Sequence, residues 1–145
     1  MGSFFKALLL GFVAGVIAFV TVHELVSLWL LNSGFATRVP WSADQSALSG
    51  YPQGLTDALW GGVWGAIFGL ILGQPPNGSM TLRGALLGIV GPAVIGALVA
   101  VPLLHGQQPF LDLDVNVIWP VVLAAAVFGA AAAWLYGLFS YGRLP

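Results

Sequence analysis

The chain has no cysteine, two methionines and very little charge: four Lys or Arg and five Asp or Glu, 6% of 145 residues. Without cysteine there is no disulfide, no thiol nucleophile and no thiolate metal site. A soluble domain carries about 25% charged residues, so at 6% this chain cannot clothe a water-facing surface. A net charge of −1 excludes a basic nucleic-acid-binding face and any strong steering field. Long polar tracts are missing as well, which excludes a disordered chain. What is present is apolar, with 59% hydrophobic residues and a mean hydropathy of +0.95. These quantities point to an integral membrane protein with one domain, residues 1–145.

Four apolar runs, at about 4–31, 55–73, 83–105 and 117–140, each approach the roughly 20 residues that a helix needs to cross the hydrocarbon core. They are continuous and do not alternate, so helices are expected and not a barrel. The expected fold is an all-α four-helix transmembrane bundle. The first run exceeds the roughly 7–15 apolar residues of a secretory signal and lacks an A-x-A site, so it is read as a retained helix. Residues 32–54 form a polar loop, 74–82 (QPPNGSMTL) a tight turn, and 105–116 a loop with Asp112 and Asp114. Lys6, Arg83 and Arg143 fall on one side of such a bundle and Arg38 on the other. The positive-inside rule then places both termini in the cytoplasm, with a bacterial inner membrane as the expected location. Trp29, Trp60 and Trp119 are expected at the outer interface, and Phe4, Phe5, Trp134, Tyr136 and Tyr141 at the inner one.

The segment Phe5-Lys6-Ala7-Leu8-Leu9-Leu10-Gly11 matches Leu82-Arg83-Gly84-Ala85-Leu86-Leu87-Gly88 at an offset of 77 residues. Phe68-Gly69 likewise matches Phe128-Gly129 at an offset of 60. The pattern suggests two tandem helical hairpins inserted in the same direction. Small residues recur at four-residue spacing: Gly11 and Gly15, then Gly61, Gly65, Gly69 and Gly73, then Gly84 and Gly88, and Gly129 between Ala125 and Ala133. Such stripes let helix backbones approach closely, and packing inside one bundle is the expected use ahead of self-association. Gly91-Pro92 and Pro102 are expected to kink the third helix.

Polar chemistry within the spans is sparse. His23-Glu24 sits late in the first run, and Glu24 is the only acid inside a predicted span. Ionisable groups in a bilayer face protein or water. At about 100° per residue, Gly11, Gly15 and Ala18 share one face of a regular helix, and His23, Glu24 and Ser27 fall on the other side. Asp57 begins the second run and His105 ends the third, so His23, Glu24, Ser27, Asp57 and His105 form a candidate polar site at the outer end. Adjacent His23 points about 100° away from Glu24, which makes Ser27, Asp57 or His105 the expected partners of the carboxylate. Asp57 or Thr56 has the simpler reading of a helix cap.

No H-E-x-x-H, G-x-S-x-G, Walker or dinucleotide fingerprint is present, and neither a metal, a cofactor nor an enzymatic activity is expected. The arrangement resembles small bacterial four-span proteins with a His followed by an acid or amide late in the first helix. His23-Glu24 and Trp60-Gly61-Gly62-Val63-Trp64-Gly65 carry the resemblance, which implies no mechanism. The motifs of small fluoride channels and small multidrug transporters are not found. Two functional expectations remain. One is an oligomeric channel or transporter subunit for a small cation, proton or solute. The other is a non-catalytic accessory or assembly subunit of a larger membrane complex. The expected partners are the lipid bilayer and either further copies of the chain or that complex, with no nucleic acid.

Overall fold

The computed structural model describes residues 2–36, 38–45, 50–73, 80–108 and 114–141. Among these residues there is no strand, and four helices are long and apolar enough to span a membrane. The first helix is α-helical over Gly2–Ala18, π-wound over Phe19–His23, and α-helical again over Glu24–Asn32. The second is Gln53–Leu72. The third begins as Met80–Gly88, is π-wound over Ile89–Ala100 and closes with Val101–Leu104. The fourth is Val115–Tyr141. Helices satisfy their backbone groups internally, as hydrocarbon requires. Asp112, Arg143 and residues 74–79 of the expected turn lie outside the described residues.

The protein is an all-α four-helix bundle built from two hairpins. The first helix packs against the second and the third against the fourth, and the two hairpins meet mainly through the first and fourth helices. Each hairpin is closed by a seam of small residues. In the first, a Cβ added at Gly11 would strike the Gly65 carbonyl oxygen, one at Gly15 the Gly61 carbonyl, and one at Gly69 the Ala7 carbonyl. In the second, a Cβ at Gly84 would strike the Gly129 carbonyl and one at Gly88 the Ala125 carbonyl. The offsets of 77 and 60 residues read from the sequence convert Gly11–Gly65 into Gly88–Ala125 and Ala7–Gly69 into Gly84–Gly129. The repeat is therefore a repeat of contacts as well as letters. Gly73 takes no part in either seam. It ends the second helix at φ 76°, where glycine avoids the penalty a Cβ would meet.

Between the hairpins lie Ala7, Ala14, Leu72, Ala133 and Tyr136 toward the end that carries the chain termini. Ala18, Phe68, Phe128 and Ala132 fill the next layer. Tyr136 stands inside the bundle, beside the end of the second helix. It is fully buried, and its hydroxyl donates to the Gly73 carbonyl at 2.6 Å. A buried tyrosine needs such a partner, and the exposed end of the second helix supplies it. The second and third helices break the pseudo-symmetry, because the Trp64 ring lies between them against Gly91.

The expected break at Gly91-Pro92 takes the form of continuous π winding across Pro92. Proline has no N–H to give the preceding turn, and wider winding is one way a helix absorbs the missing bond. Pro102 lies where the π winding passes back into the short closing α segment.

Candidate functional site

The π winding of the first helix shapes the site. Glu24 N–H bonds to the Phe19 carbonyl, a five-residue reach, and also to Thr21. A π turn inserts one residue's rotation, about 100°, relative to a regular helix. Glu24 and Ser27 consequently turn away from the far side expected of a uniform helix and toward Arg38 of the following loop. Both are buried, Glu24 with 1% of its surface exposed.

An ionised carboxylate there requires strong partners. The first comes from the loop between the first two helices. Arg38 Nη1 donates to Glu24 Oε1 at 2.7 Å and to Ser27 Oγ at 3.1 Å, and Nη2 donates to Asp57 Oδ2 at 2.9 Å. One guanidinium thus ties a carboxylate on the first helix to one on the second. Its Cζ stands 5.5 Å from the centroid of the Phe19 ring. Burial draws the Arg38 pKa down, but its hydrogen bonds and attraction to Glu24 and Asp57 outweigh burial and raise it above the ordinary arginine value.

The remaining carboxylate oxygens are also used. Trp41 backbone N–H donates to Glu24 Oε2 at 2.6 Å, and Gln53 Nε2 donates to Asp57 Oδ1 at 2.6 Å. His23 Nδ1 lies 3.1 Å from Glu24 Oε1. A carboxylate only accepts, so Nδ1 carries the proton in this contact. The imidazole stacks on Phe19 at 4.2 Å and meets Phe128 edge-on at 6.1 Å, which fixes its plane. Adjacent residues can meet in this way because the ring and carboxylate both reach beyond the backbone directions that a helical wheel compares.

Residues 38–45 act as a strap across this end of the first hairpin. Besides Arg38 and Trp41 N–H, the Trp41 indole Nε1 donates to the Val20 carbonyl at 2.7 Å. Ser42 and Asp44 carbonyls accept from Gly54 and Gln53 N–H at 2.8 and 2.7 Å. These last bonds satisfy donors that the start of the second helix leaves open. Pro52 is the residue at the cap position, with no side-chain cap, so Asp57 and Thr56 do not serve there. Thr56 Oγ1 instead donates to the Pro52 carbonyl at 3.2 Å.

The structure brings His23, Glu24, Ser27 and Asp57 into one cluster. His105 is not part of it: the ring is exposed at the end of the third helix, with Nδ1 3.1 Å from the Val101 carbonyl. Asp114 accepts from Asn116 N–H in its own turn. Among the described residues no group of three or more His, Asp or Glu is arranged to hold a metal ion. Arg38 and Trp41 are the members that sequence reasoning did not assign to the site. Arg38 stood out as the one base in a loop between two acid-bearing helices, which is the signal that a search for a partner to Glu24 needed.

The fold and cluster define a small four-helix membrane protein with a strapped ion network at one end. No protein family, curated protein or solved structure matches the chain.

Proposed function

We propose that this chain is a non-catalytic accessory or assembly subunit of a larger membrane protein complex, in a bacterial inner membrane with both termini in the cytoplasm. The observation that carries this reading is the interior. Among the described residues, the buried polar side chains in the strap half are Glu24 and Ser27, and at the opposite end only the Tyr136 hydroxyl and Ser140 Oγ are buried. From there to the Tyr136 hydroxyl the bundle is filled by alanine, phenylalanine and leucine. Among the described residues a single bundle offers an ion no continuous polar route, and the ionic groups it does bury are tied to each other. Purification from native membranes in a gentle detergent tests the proposal. A second protein in fixed ratio is the expected result. Isolation of the chain by itself, as a symmetric assembly that carries flux in liposomes, would overturn it.

A second reading is an oligomeric channel or transporter subunit, for which the strap end would be the outer entrance. It is favoured by the presence of two carboxylates against one guanidinium beside aqueous loops. Its distinguishing measurement is cation- or proton-dependent flux in liposomes for the parent and Glu24→Gln proteins. Equal flux in both would exclude a role for the Glu24 charge.

A further inference from the structure

We propose that the strap-end half of the third helix, from Gly96 to Leu104, is where the larger complex seats its partner protein, through an uncharged apolar segment that brings one side-chain N–H to the Ala97 carbonyl. The inference rests on the accessory role and names the surface and the chemistry through which that role is exercised.

The first hairpin shows what such a surface needs. Its first helix leaves π winding at His23, with Glu24 N–H bonded to the Phe19 carbonyl. The Val20 carbonyl takes the Trp41 indole N–H at 2.7 Å, and the strap covers the face beyond it. The third helix repeats this winding at the same offset of 77 residues. Its π segment ends at Ala100, and Val101 N–H bonds to the Gly96 carbonyl. Val20 thus corresponds to Ala97, Glu24 to Val101 and Ser27 to Leu104.

At Ala97 the deficit is greater than at Val20. A helical carbonyl accepts from the N–H four residues on, or five in π winding. Four on is Val101, whose N–H is committed to Gly96. Five on is Pro102, which has no N–H. Among the described residues no side-chain donor reaches this carbonyl as Trp41 reaches Val20. The backbone beside it is open too, since a Cβ at Gly96 would meet nothing closer than the Trp64 ring at 3.7 Å. Ala97 lies about 10 Å of rise from the helix end at Leu104. Hydrocarbon at that depth supplies no donor, so the carbonyl calls for one from protein.

The cover is missing along with the donor. Glu24 and Ser27 are 1% and 4% exposed beneath the strap, whereas Val101 and Leu104 at the matching positions are 45% and 65% exposed. The residue types define the occupant. The first helix presents a carboxylate and a hydroxyl to a guanidinium, and the third presents two aliphatic side chains, so its occupant carries no charge. Acyl chains can cover Val101 and Leu104 but cannot donate to Ala97. An apolar protein segment with one indole or amide N–H does both.

Photo-crosslinking of the full chain in native membranes tests this. Benzoylphenylalanine at position 101 or 104 should join the chain to the protein that copurifies with it, and at exposed positions 9 and 13 of the first helix it should not. Val101→Trp adds bulk where only a partner can clash. It should lower recovery of that protein about tenfold and leave the unfolding temperature of the isolated chain unchanged. Leu104→Trp is read in the same way should Val101→Trp fail to fold. In the purified complex the Ala97 carbonyl carbon resonance should move to the range of hydrogen-bonded helical carbonyls. A copurifying protein that crosslinks from 9 or 13 and not from 101 or 104 would overturn the docking surface and leave the accessory role standing. An unmoved Ala97 resonance in a complex that crosslinks from 101 would also overturn the proposal, because the partner would then cover the face without donating. Crosslinks from 101 and 104 to a second copy of the chain alone would assign the face to self-association and overturn it as well. Absence of any copurifying protein would overturn both the surface and the accessory role.

Discussion

The Trp41 indole N–H donates to the Val20 carbonyl, 2.7 Å away, and the π winding is what leaves that carbonyl open. Glu24 N–H, which a regular helix would direct to Val20, reaches Phe19 and Thr21. A loop side chain thereby completes a helix whose irregularity turns Glu24 toward its partners. Trp41 is also held at φ 50°, a conformation that costs a non-glycine residue about 1–3 kcal/mol. Trp41→Phe keeps the ring and removes the donor. It should destabilise the protein by about 1 kcal/mol and speed hydrogen exchange in the strap. Unchanged exchange at the Trp41 backbone amide would show that the indole bond does not hold the strap.

Glu24 accepts from Arg38, from Trp41 N–H and from His23, so its two nearest replacements separate charge from shape. Glu24→Gln retains an acceptor and should cost about 1–3 kcal/mol. Glu24→Ala leaves three donors facing an empty space and should cost about 3–5 kcal/mol. Unfolding in graded denaturing detergent measures both. Equal losses would mean that the acceptor role contributes nothing beyond the charge.

The two seams make a matched prediction. Gly11→Ala and Gly88→Ala each place a Cβ against a backbone carbonyl of the facing helix, and backbone cannot swing aside. Each should cost about 1–3 kcal/mol or more, the usual range for overpacking. Gly96→Ala is the control, since its Cβ meets the Trp64 side chain at 3.7 Å and the Gly91 carbonyl at 3.8 Å, both ordinary contact distances. Thermal unfolding should rank Gly96→Ala near the parent protein and the seam variants below it. A seam variant as stable as the control would contradict the close approach.

Arg38 sets a pH expectation of definite sign. Its folded-state pKa lies above the ordinary arginine value. Its contribution is therefore complete below the unfolded pKa and is lost only as pH rises through the folded one. Arginine stays protonated well above this interval in the unfolded chain as well, so the stability difference between the parent protein and Arg38→Gln should be constant from about pH 7 to 10. Unfolding temperatures measured across that interval provide the check. A difference that shrinks within it would assign the stabilisation to another titrating group.

Composition alone determined that this chain belongs in a membrane, because nine charged side chains cannot cover a water-facing surface and four apolar runs have the length of the hydrocarbon core. The spacing of glycines also carried the hairpins. Small residues four apart can line one helix face whatever their neighbours are, so the Gly11 and Gly88 registers were legible before any contact was seen. The site was legible only in part. His23, Glu24, Ser27 and Asp57 were recognisable as polar groups near one end, but their convergence depends on the π turn at Phe19–His23. A wheel of constant pitch places Glu24 and Ser27 on the wrong side, since one inserted residue rotates everything beyond it. The choice of Arg38 over His105 was likewise tertiary. A loop residue has no periodicity to announce its direction, and only the fold of the strap, anchored on Val20, Gln53 and Gly54, carries the guanidinium between the two carboxylates.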